Sequence, residues 1–537
     1  MNCPNCNAEI PNEATVCPSC SHELAPVVGA STSEEPKASS RPGWLVFAGV
    51  GAVVLAIGAA AFAFSGRGAG ADLSDRIPAD AFVYVEVDIE ALMSDEVKEV
   101  VAAFGPLVEA ETGEEFDVDA WFDEIIDSFD AELAGNDMSY EEDIASWASG
   151  PVAIGVLGEA DEPDVVAVVG GRDSAALDAF LGKVEAEADG TEEIAGVRFL
   201  TTSEDGQQMY IGRVGDDLVA TSDAALAETM VSGPAETLAD DSGFTSQLAA
   251  VQDSGIVVVA VDSEKATELS QAGAPMAPMM LAGPDVGDFT TGWVVSSFGV
   301  VDGNIRADYA ATVTDEFPRR QADPAVEEAL PADTIAFSRI GYLIDQLALF
   351  GESGVLDGME DAYGITLAEL VGLFSVDGAI GVWPSTQPEI PINAAVVALS
   401  DSNQSATVAE IADLAETLGW NVADQSWGYT IERLVGLGTR DALTFLTTDD
   451  SLIQSAPESS FASSDLHRRA SALVDGDLAL AIDTPAVIDL IDGFVGMEDP
   501  EAAETLACLP IGVIAVGIEV SGDDIRGSSV VEITDPC

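Results

Sequence analysis

The chain has 537 residues, of which 47% are hydrophobic, so it is long enough to form two or more folded units with real cores. Asp and Glu total 96 against 19 Lys and Arg, which gives a formal charge of -77 at pH 7. Because so acidic a chain repels a phosphate backbone, nucleic acid is not an expected partner. Most acidic residues follow residue 64 and indicate a solvated acidic surface rather than a specific cation store.

The first segment contains two CPxC knuckles, whose thiols belong to Cys3, Cys6, Cys17 and Cys20. Four thiolates at this spacing can complete the tetrahedral shell of a structural Zn²⁺ ion, which would supply most of the folding free energy of so short a segment. The sequence therefore predicts a zinc ribbon over residues 1–24. The alternative, two disulfides, needs an oxidising compartment. The segment resembles the short bacterial zinc-ribbon family, although Asn7 and Ser21 replace its usual knuckle glycines.

A linker and one long apolar segment follow the cysteines. Residues 25–42 are rich in Pro, Ser, Ala and Glu and predict a flexible linker. Residues 43–64 carry no charge and, at about 1.5 Å per residue, can cross a hydrocarbon core of about 30 Å. We therefore expect a single transmembrane helix that acts as a retained signal anchor. Flanking basic residues barely decide its orientation, and the cysteine ribbon favours a cytoplasmic N-terminus with the remaining chain outside.

After this segment the chain repeats itself. The string beginning at Ile77 (IPADAFVYVEVD) matches the string beginning at Leu330 (LPADTIAFSRIG), and four further landmarks recur in the same order, 220 to 226 residues apart. Each copy alternates β-rich runs with helical stretches. The predicted fold class is therefore α+β: the zinc ribbon, one transmembrane helix and two tandem, similar lobes over residues 72–320 and 321–537, with mainly antiparallel sheets.

Each copy ends in a predicted β-hairpin, with tips at Asp302-Gly303 and Gly522-Asp523. Antiparallel pairing from the second tip places Cys508 opposite Cys537. In an oxidising exterior these two cysteines would form a disulfide that stabilises the chain end by about 2–4 kcal/mol.

The start of the first copy resembles a known family. Pro78-Ala79-Asp80, followed by a predicted strand from Phe82 to Val87 just outside a membrane anchor, is similar to the opening of the bacterial domain-of-unknown-function 3352 family. The resemblance extends over most of residues 72–537. It implies placement and architecture, but it carries no activity and no catalytic residues.

No segment carries a catalytic signature. His467 is the one histidine after the apolar segment, and no GxSxG turn accompanies it, so we assign it no catalytic role. Phosphate-binding loops and calcium loops are likewise missing from the sequence. Carboxylates are so numerous that pairs of them carry no information about acid–base chemistry. We therefore expect a protein that is not an enzyme.

The segment from Ala274 to Pro284 is rich in methionine, at Met276, Met279 and Met280. Flexible methionines suit an adaptable apolar contact with a ligand, a partner or the membrane surface. A loop packed against a core is the alternative, and the second copy has no equivalent cluster.

These patterns favour a membrane-anchored protein of the cell envelope that binds a ligand or another protein through its external lobes. The zinc ribbon, which has no Lys or Arg, is expected to contact a cytosolic protein. Two alternatives stay open: an extracytoplasmic hydrolase that uses carboxylates in a cleft between the lobes, and a carrier of an apolar ligand.

Overall fold

A computed structural model describes residues 73–534 of the chain. Within that range it leaves out residues 114, 134–137, 160–161, 187, 205–206, 252–254, 266–289, 315–321, 340–377, 388–389, 400–403, 418–419, 433 and 496–507.

In the described part of the chain, twenty strands form a single antiparallel sheet. The first repeat contributes β1 (Val83–Asp88), β2 (Ala148–Glu159), β3 (Glu162–Gly171), β4 (Gly190–Ile194), β5 (Val197–Glu204), β6 (Gln207–Val214), β7 (Asp217–Thr221), β8 (Val257–Asp262), β9 (Thr290–Val301) and β10 (Asn304–Val313). The second repeat contributes β11 (Ala336–Arg339), β12 (Gly378–Gln387), β13 (Ile390–Leu399), β14 (Val422–Gln425), β15 (Gly428–Ile431), β16 (Val435–Arg440), β17 (Leu443–Thr447), β18 (Asp477–Asp483), β19 (Ile511–Ser521) and β20 (Asp524–Ile533).

Among the described helices, three of each repeat occupy equivalent places: one after the third strand, one after the seventh and one before the eighth. The helices of the first repeat are α1 (Ile89–Leu92), α2 (Asp95–Ala103), α3 (Gly105–Thr112), α4 (Val118–Leu133), α5 (Ser174–Val184), α6 (Ala224–Ser232) and α7 (Ser242–Val251). Those of the second are α8 (Pro324–Glu328), α9 (Gln404–Thr417), α10 (Ser451–Gln454), α11 (Asp465–Leu473) and α12 (Thr484–Val495).

Within each repeat the strands pair in the same order, and the two half-sheets are joined through the last strand of each repeat. From one end the sheet runs β4-β5-β6-β7-β3-β2-β1-β8-β9-β10, and it continues as β20-β19-β18-β11-β12-β13-β17-β16-β15-β14. Strands β10 and β20 join the halves through eight residue pairs. Asp308 pairs with Ser528, its own counterpart at the offset of 220 residues, so a local pseudo-two-fold axis passes through this pair.

Equivalent hydrogen bonds confirm the internal duplication. In the first repeat, Phe82 N donates to Val156 O at 2.8 Å; in the second, Ile335 N donates to Val382 O at 2.8 Å. The bridge between Pro78 and Thr237 likewise has a counterpart between Pro331 and Ser460. The matched strings that begin at Ile77 and Leu330 therefore occupy equivalent places in the fold.

The first residue of each matched string, Ile77 or Leu330, packs against a glycine of the neighbouring strand. The Ile77 side chain lies over Gly155, where an added Cβ would come within 2.7 Å of its Cγ2. The Leu330 side chain lies over Gly381 in the same way, with its Cδ2 at 2.7 Å from such a Cβ. Both large side chains are fully buried. In each repeat an aliphatic side chain therefore packs directly against a glycine of the neighbouring strand, where a side chain would leave no room.

Both predicted hairpins are confirmed. Val301 pairs with Asn304 across the first tip, where Asp302 and Gly303 have φ values of 53° and 77°. Two positive φ angles are what a two-residue type I′ turn requires. Ser521 pairs with Asp524 across the second tip.

The predicted fold class is wrong in its division of the chain. The last strand of each repeat would be an open edge if the repeats formed separate lobes, and their mutual pairing satisfies those backbone groups in one continuous sheet. In the part of the chain that the structure describes, no helix is long and apolar enough to cross a membrane. The predicted ribbon (1–24), linker (25–42) and apolar helix (43–64) lie outside the described residues.

The junction between the repeats depends on one close contact. Tyr309 of β10 pairs with Gly527 of β20, and the tyrosine ring lies over the glycine, so that an added Cβ would sit 2.0 Å from Tyr309 Cε1. Neighbouring apolar side chains, including Ala311 and Ile525, continue this packing across the junction. Gly527 therefore allows the two halves to approach.

We expect Gly527→Ala to lower the free energy of unfolding by about 1–3 kcal/mol, because the methyl group overpacks the junction. Gly182→Ala on α5 is the control, since nothing lies within 4 Å of that position and alanine favours a helix. Urea titration followed by fluorescence measures both. Adding Tyr309→Ala should recover part of the loss in a double-mutant cycle; a Gly527→Ala protein as stable as the wild type would contradict this packing.

Candidate functional site

A buried ion network connects three elements of the second repeat. Glu327 lies at the end of α8, and its Oε2 is 2.9 Å from Nε2 of His467 on α11. Its Oε1 accepts a hydrogen bond from Nη2 of Arg339 on β11. The Arg339 Nε also donates to the carbonyl oxygen of Leu478 at 3.1 Å. Arg339 is only 3% exposed, so its charge depends on these partners.

Local structure holds the members of this network in place. The Ser464 hydroxyl caps α11 by accepting from His467 N at 3.0 Å, and the His467 ring meets the edge of Phe461 at a centroid distance of 5.2 Å. Burial opposes the ionisation of Glu327, but the hydrogen bond with His467 and the charge of Arg339 outweigh it. The pKa of the Glu327 carboxyl is therefore lowered from its usual value.

The first repeat does not reproduce this chemistry. Glu86 occupies the place of Arg339 in the matched strings, so the charge at this position is reversed. Its Oε2 accepts from the Tyr84 hydroxyl and, at 2.9 Å, from Leu73 N. In each repeat the residue at this position therefore binds the segment that precedes the first strand. Both carboxylate oxygens of Glu327 are bonded, one to His467 and one to Arg339. The geometry of the network therefore indicates a structural role, which is to hold α8, β11 and α11 together.

We expect Glu327→Ala to lower the free energy of unfolding by about 3–5 kcal/mol, because it removes a carboxylate that is bonded to the buried Arg339 charge. Asp465→Ala is the matched control. It removes the carboxylate from an exposed pair with Arg468 on the same α11 and should cost less than about 1 kcal/mol. Chemical denaturation measures the free energy of unfolding of both variants. Equal losses of stability would show that the buried network does not hold these elements together.

The lowered pKa of Glu327 also predicts how stability depends on pH. A carboxyl with a folded-state pKa below its unfolded value stabilises the fold above the unfolded pKa, about 4.3, and this contribution is lost as the pH falls through the folded pKa. We therefore expect the difference in melting temperature between the wild type and Glu327→Gln to be largest near pH 5 and to shrink towards pH 3. A difference that grows over this interval would contradict the assignment.

The far end of the sheet in the second repeat has a different character. Strand β14 pairs only with β15 among the described residues, so its other side is an open edge. Trp420 precedes this strand and is 47% exposed, and Leu434, at the end of the neighbouring β15–β16 hairpin, is 57% exposed. They are two of the four exposed large hydrophobic side chains in the described part of the chain. The hydrogen bond from Glu432 N to Asn421 O, at 2.8 Å, brings their two segments together.

Helix α9 gives this end a rigid base. Its buried Val408, Ala412 and Ala415 pack with Ile431 and Leu437 of the strands beneath it. The C-terminal turn of the helix then leads directly to the exposed tryptophan, because Trp420 N donates to Ala415 O at 3.0 Å. The apolar side chains at this end are therefore carried on packed secondary structure.

The matching end of the first repeat is polar. Counted back from the two-residue turns of the equivalent hairpins, Asp189 takes the place of Trp420, and its Oδ2 accepts from Ser203 N at 2.7 Å. The edge strand β4 there exposes Glu192 and Glu193. The two ends of the sheet therefore differ: among the described residues, the end at β14 combines an open edge with exposed apolar side chains and the end at β4 does not.

Most of the residues singled out from the sequence lie outside the part of the chain that the structure describes. Cys508 is described and is disulfide-bonded, whereas its predicted partner Cys537 lies outside the described residues. The predicted zinc ligands and the methionine cluster also lie outside them: Cys3, Cys6, Cys17, Cys20, Met276, Met279 and Met280. Within the described residues, no group of three or more His, Cys, Asp or Glu side chains is placed to hold a metal ion.

Trp420 and Leu434 escaped the sequence analysis for a physical reason. Both residues stand near predicted strands, where a single apolar residue is usually buried. Nothing in their immediate sequence therefore predicts that they are exposed. A comparison of the two repeats at this hairpin, which sets a tryptophan against an aspartate, was the one available signal.

Comparison with known proteins places the chain in a family. The model of a protein family of unknown function, DUF3352, matches residues 45–430, more than half of the chain. The chain belongs to the DUF3352 family. This confirms the resemblance seen at Pro78-Ala79-Asp80. The DUF3352 match begins inside the apolar segment and ends in β15, so it covers the whole first repeat and part of the second.

Other comparisons add no activity to the DUF3352 assignment. No curated protein matches this chain. Two crystal forms of TP0453 cover 46% and 47% of this chain and 81% and 84% of their own, at 6% and 9% sequence identity. Their TM-score of 0.24 does not establish a shared fold.

Proposed function

We propose that this protein is a non-enzymatic binding module of the cell envelope, and that it binds another protein at the β14 end of its sheet. One observation carries the proposal: exposed Trp420 directly precedes the open edge strand β14, with exposed Leu434 in the neighbouring β15–β16 turn, where the first repeat has polar and charged residues. Tryptophan is enriched among the residues that dominate protein interfaces. A duplicated domain that keeps its core but changes one end has a surface available for a partner.

The location and the metal remain predictions from the sequence. The cell membrane with a cytoplasmic N-terminus, a Zn²⁺ ion in the N-terminal segment and a cytosolic protein partner there all rest on residues outside the described part of the chain. The hydrolase and carrier alternatives have no supporting observation among the described residues.

Photo-crosslinking in intact cells tests the binding site. A photoreactive amino acid would replace Ala423 on β14 and, in the matched control, Glu192, its equivalent on β4. We expect a defined adduct with another protein from position 423 and none from position 192, because only the first lies beside exposed apolar side chains. Trp420→Ala should weaken the adduct at least fivefold. Equal adducts from both positions, or none from position 423, would overturn the proposal.

A further inference from the structure

The backbone of β14 presents free pairing positions in a defined pattern. Antiparallel pairs alternate between hydrogen-bonded and non-hydrogen-bonded. Because Glu432 N donates to Asn421 O, the pairs that continue this pattern, at Ala423 and Gln425, are bonded to β15. The N–H and C=O groups of Val422 and Asp424 consequently point away from β15, towards the open edge. An added strand would find two donors and two acceptors there.

The surroundings of this edge select the charge of a strand that pairs with it. From the start of α9 at residue 404 to the end of β16 at residue 440, the sequence has five acidic residues and two basic residues. Asp413, Glu416, Asp424 and Glu432 are all exposed in this region. An acidic or nucleic-acid partner would be repelled, whereas lysine side chains of an added strand would be attracted.

Apolar contacts complete the description of the partner. Trp420 and Leu434 flank the Asn421–Glu432 pair at one end of the edge strand. Side chains of an added strand alternate between the two faces of the sheet, so those on the face of Trp420 near this end can contact it while the others face solvent and charge. An extended segment that alternates lysine with aliphatic residues fits both requirements.

We propose that β14 binds an extended, lysine-rich segment of another protein as an additional strand of the sheet. This inference rests on the proposed function and names the chemical class of the partner at the same site. Main-chain hydrogen bonds supply the affinity in this mode of recognition, while the charge and the apolar contacts supply the specificity.

Fluorescence polarisation with defined peptides tests the inference on the full-length protein. The probe is a labelled ten-residue peptide that alternates Lys and Val, and the control peptide alternates Glu and Val. We expect saturable binding of the first that weakens at least fivefold when salt rises from 50 to 500 mM, and no binding of the second. Binding of both peptides alike would overturn the charge selection.

Backbone pairing is tested separately from charge. Asp424→Pro removes the outward N–H at a position where an edge strand tolerates proline, and Asp424→Asn removes the charge and keeps the N–H. We expect at least a tenfold loss of peptide affinity for the first variant and about a twofold to threefold loss for the second, with melting temperatures that confirm folding. On the wild-type protein, N-methylation of alternate peptide amides should abolish binding in one of the two registers and leave the other intact.

Equal affinity of both N-methylated registers would show that no strand is added, whatever the folding of the variants. If position 423 still crosslinks to a partner in cells while the Lys-Val peptide does not bind, the partner class is wrong and the binding module stands. If neither occurs, the proposed function falls with the inference.

Discussion

The pairing of β10 with β20 is the interaction on which the architecture depends. Each repeat ends in a long strand whose outer edge would present a row of unpaired N–H and C=O groups. Eight residue pairs satisfy these groups, and the close contact between Tyr309 and Gly527 lets the two strands approach. Because Asp308 meets its own counterpart Ser528, the junction has the geometry of a symmetric dimer interface formed within one chain.

Divergence between the repeats distinguishes structural from functional positions. The contacts of Ile77 and Leu330 with a glycine of the neighbouring strand are the same in both repeats, since each core needs a large aliphatic side chain at this place. Arg339 of the second repeat is replaced by Glu86 in the first, which reverses the charge. Each of the two residues still bonds to the segment that precedes the first strand of its repeat, but to different partners. A further change lies at the outer hairpins, where the first repeat has a polar end and the second has an end with exposed Trp420. A change that no shared structural need explains is where a partner is best sought.

Sequence patterns predicted the local elements well and the joining of the halves badly. Both hairpin tips followed from the turn chemistry of glycine beside aspartate, and the duplication followed from matched strings such as those at Ile77 and Leu330. Whether two similar copies form separate lobes or one sheet depends on long-range pairing of their last strands, which leaves no periodicity in the sequence. The proposed binding end at β14 was not predicted for a related reason, because the exposure of Trp420 depends on how the preceding helix α9 packs against the strands. The charge of the chain, by contrast, was readable at once and still limits the partners of this end.

Hydrogen–deuterium exchange of the full-length protein, followed by mass spectrometry, tests the joining of the halves most directly. If β10 and β20 pair along their length, their peptides should exchange as slowly as those of β9 and β19, because amides on both sides of each strand are hydrogen-bonded. Alternate amides of β10 and β20 that exchange as fast as those of the edge strands β4 and β14 would show two separate sheets, and would contradict the continuous sheet.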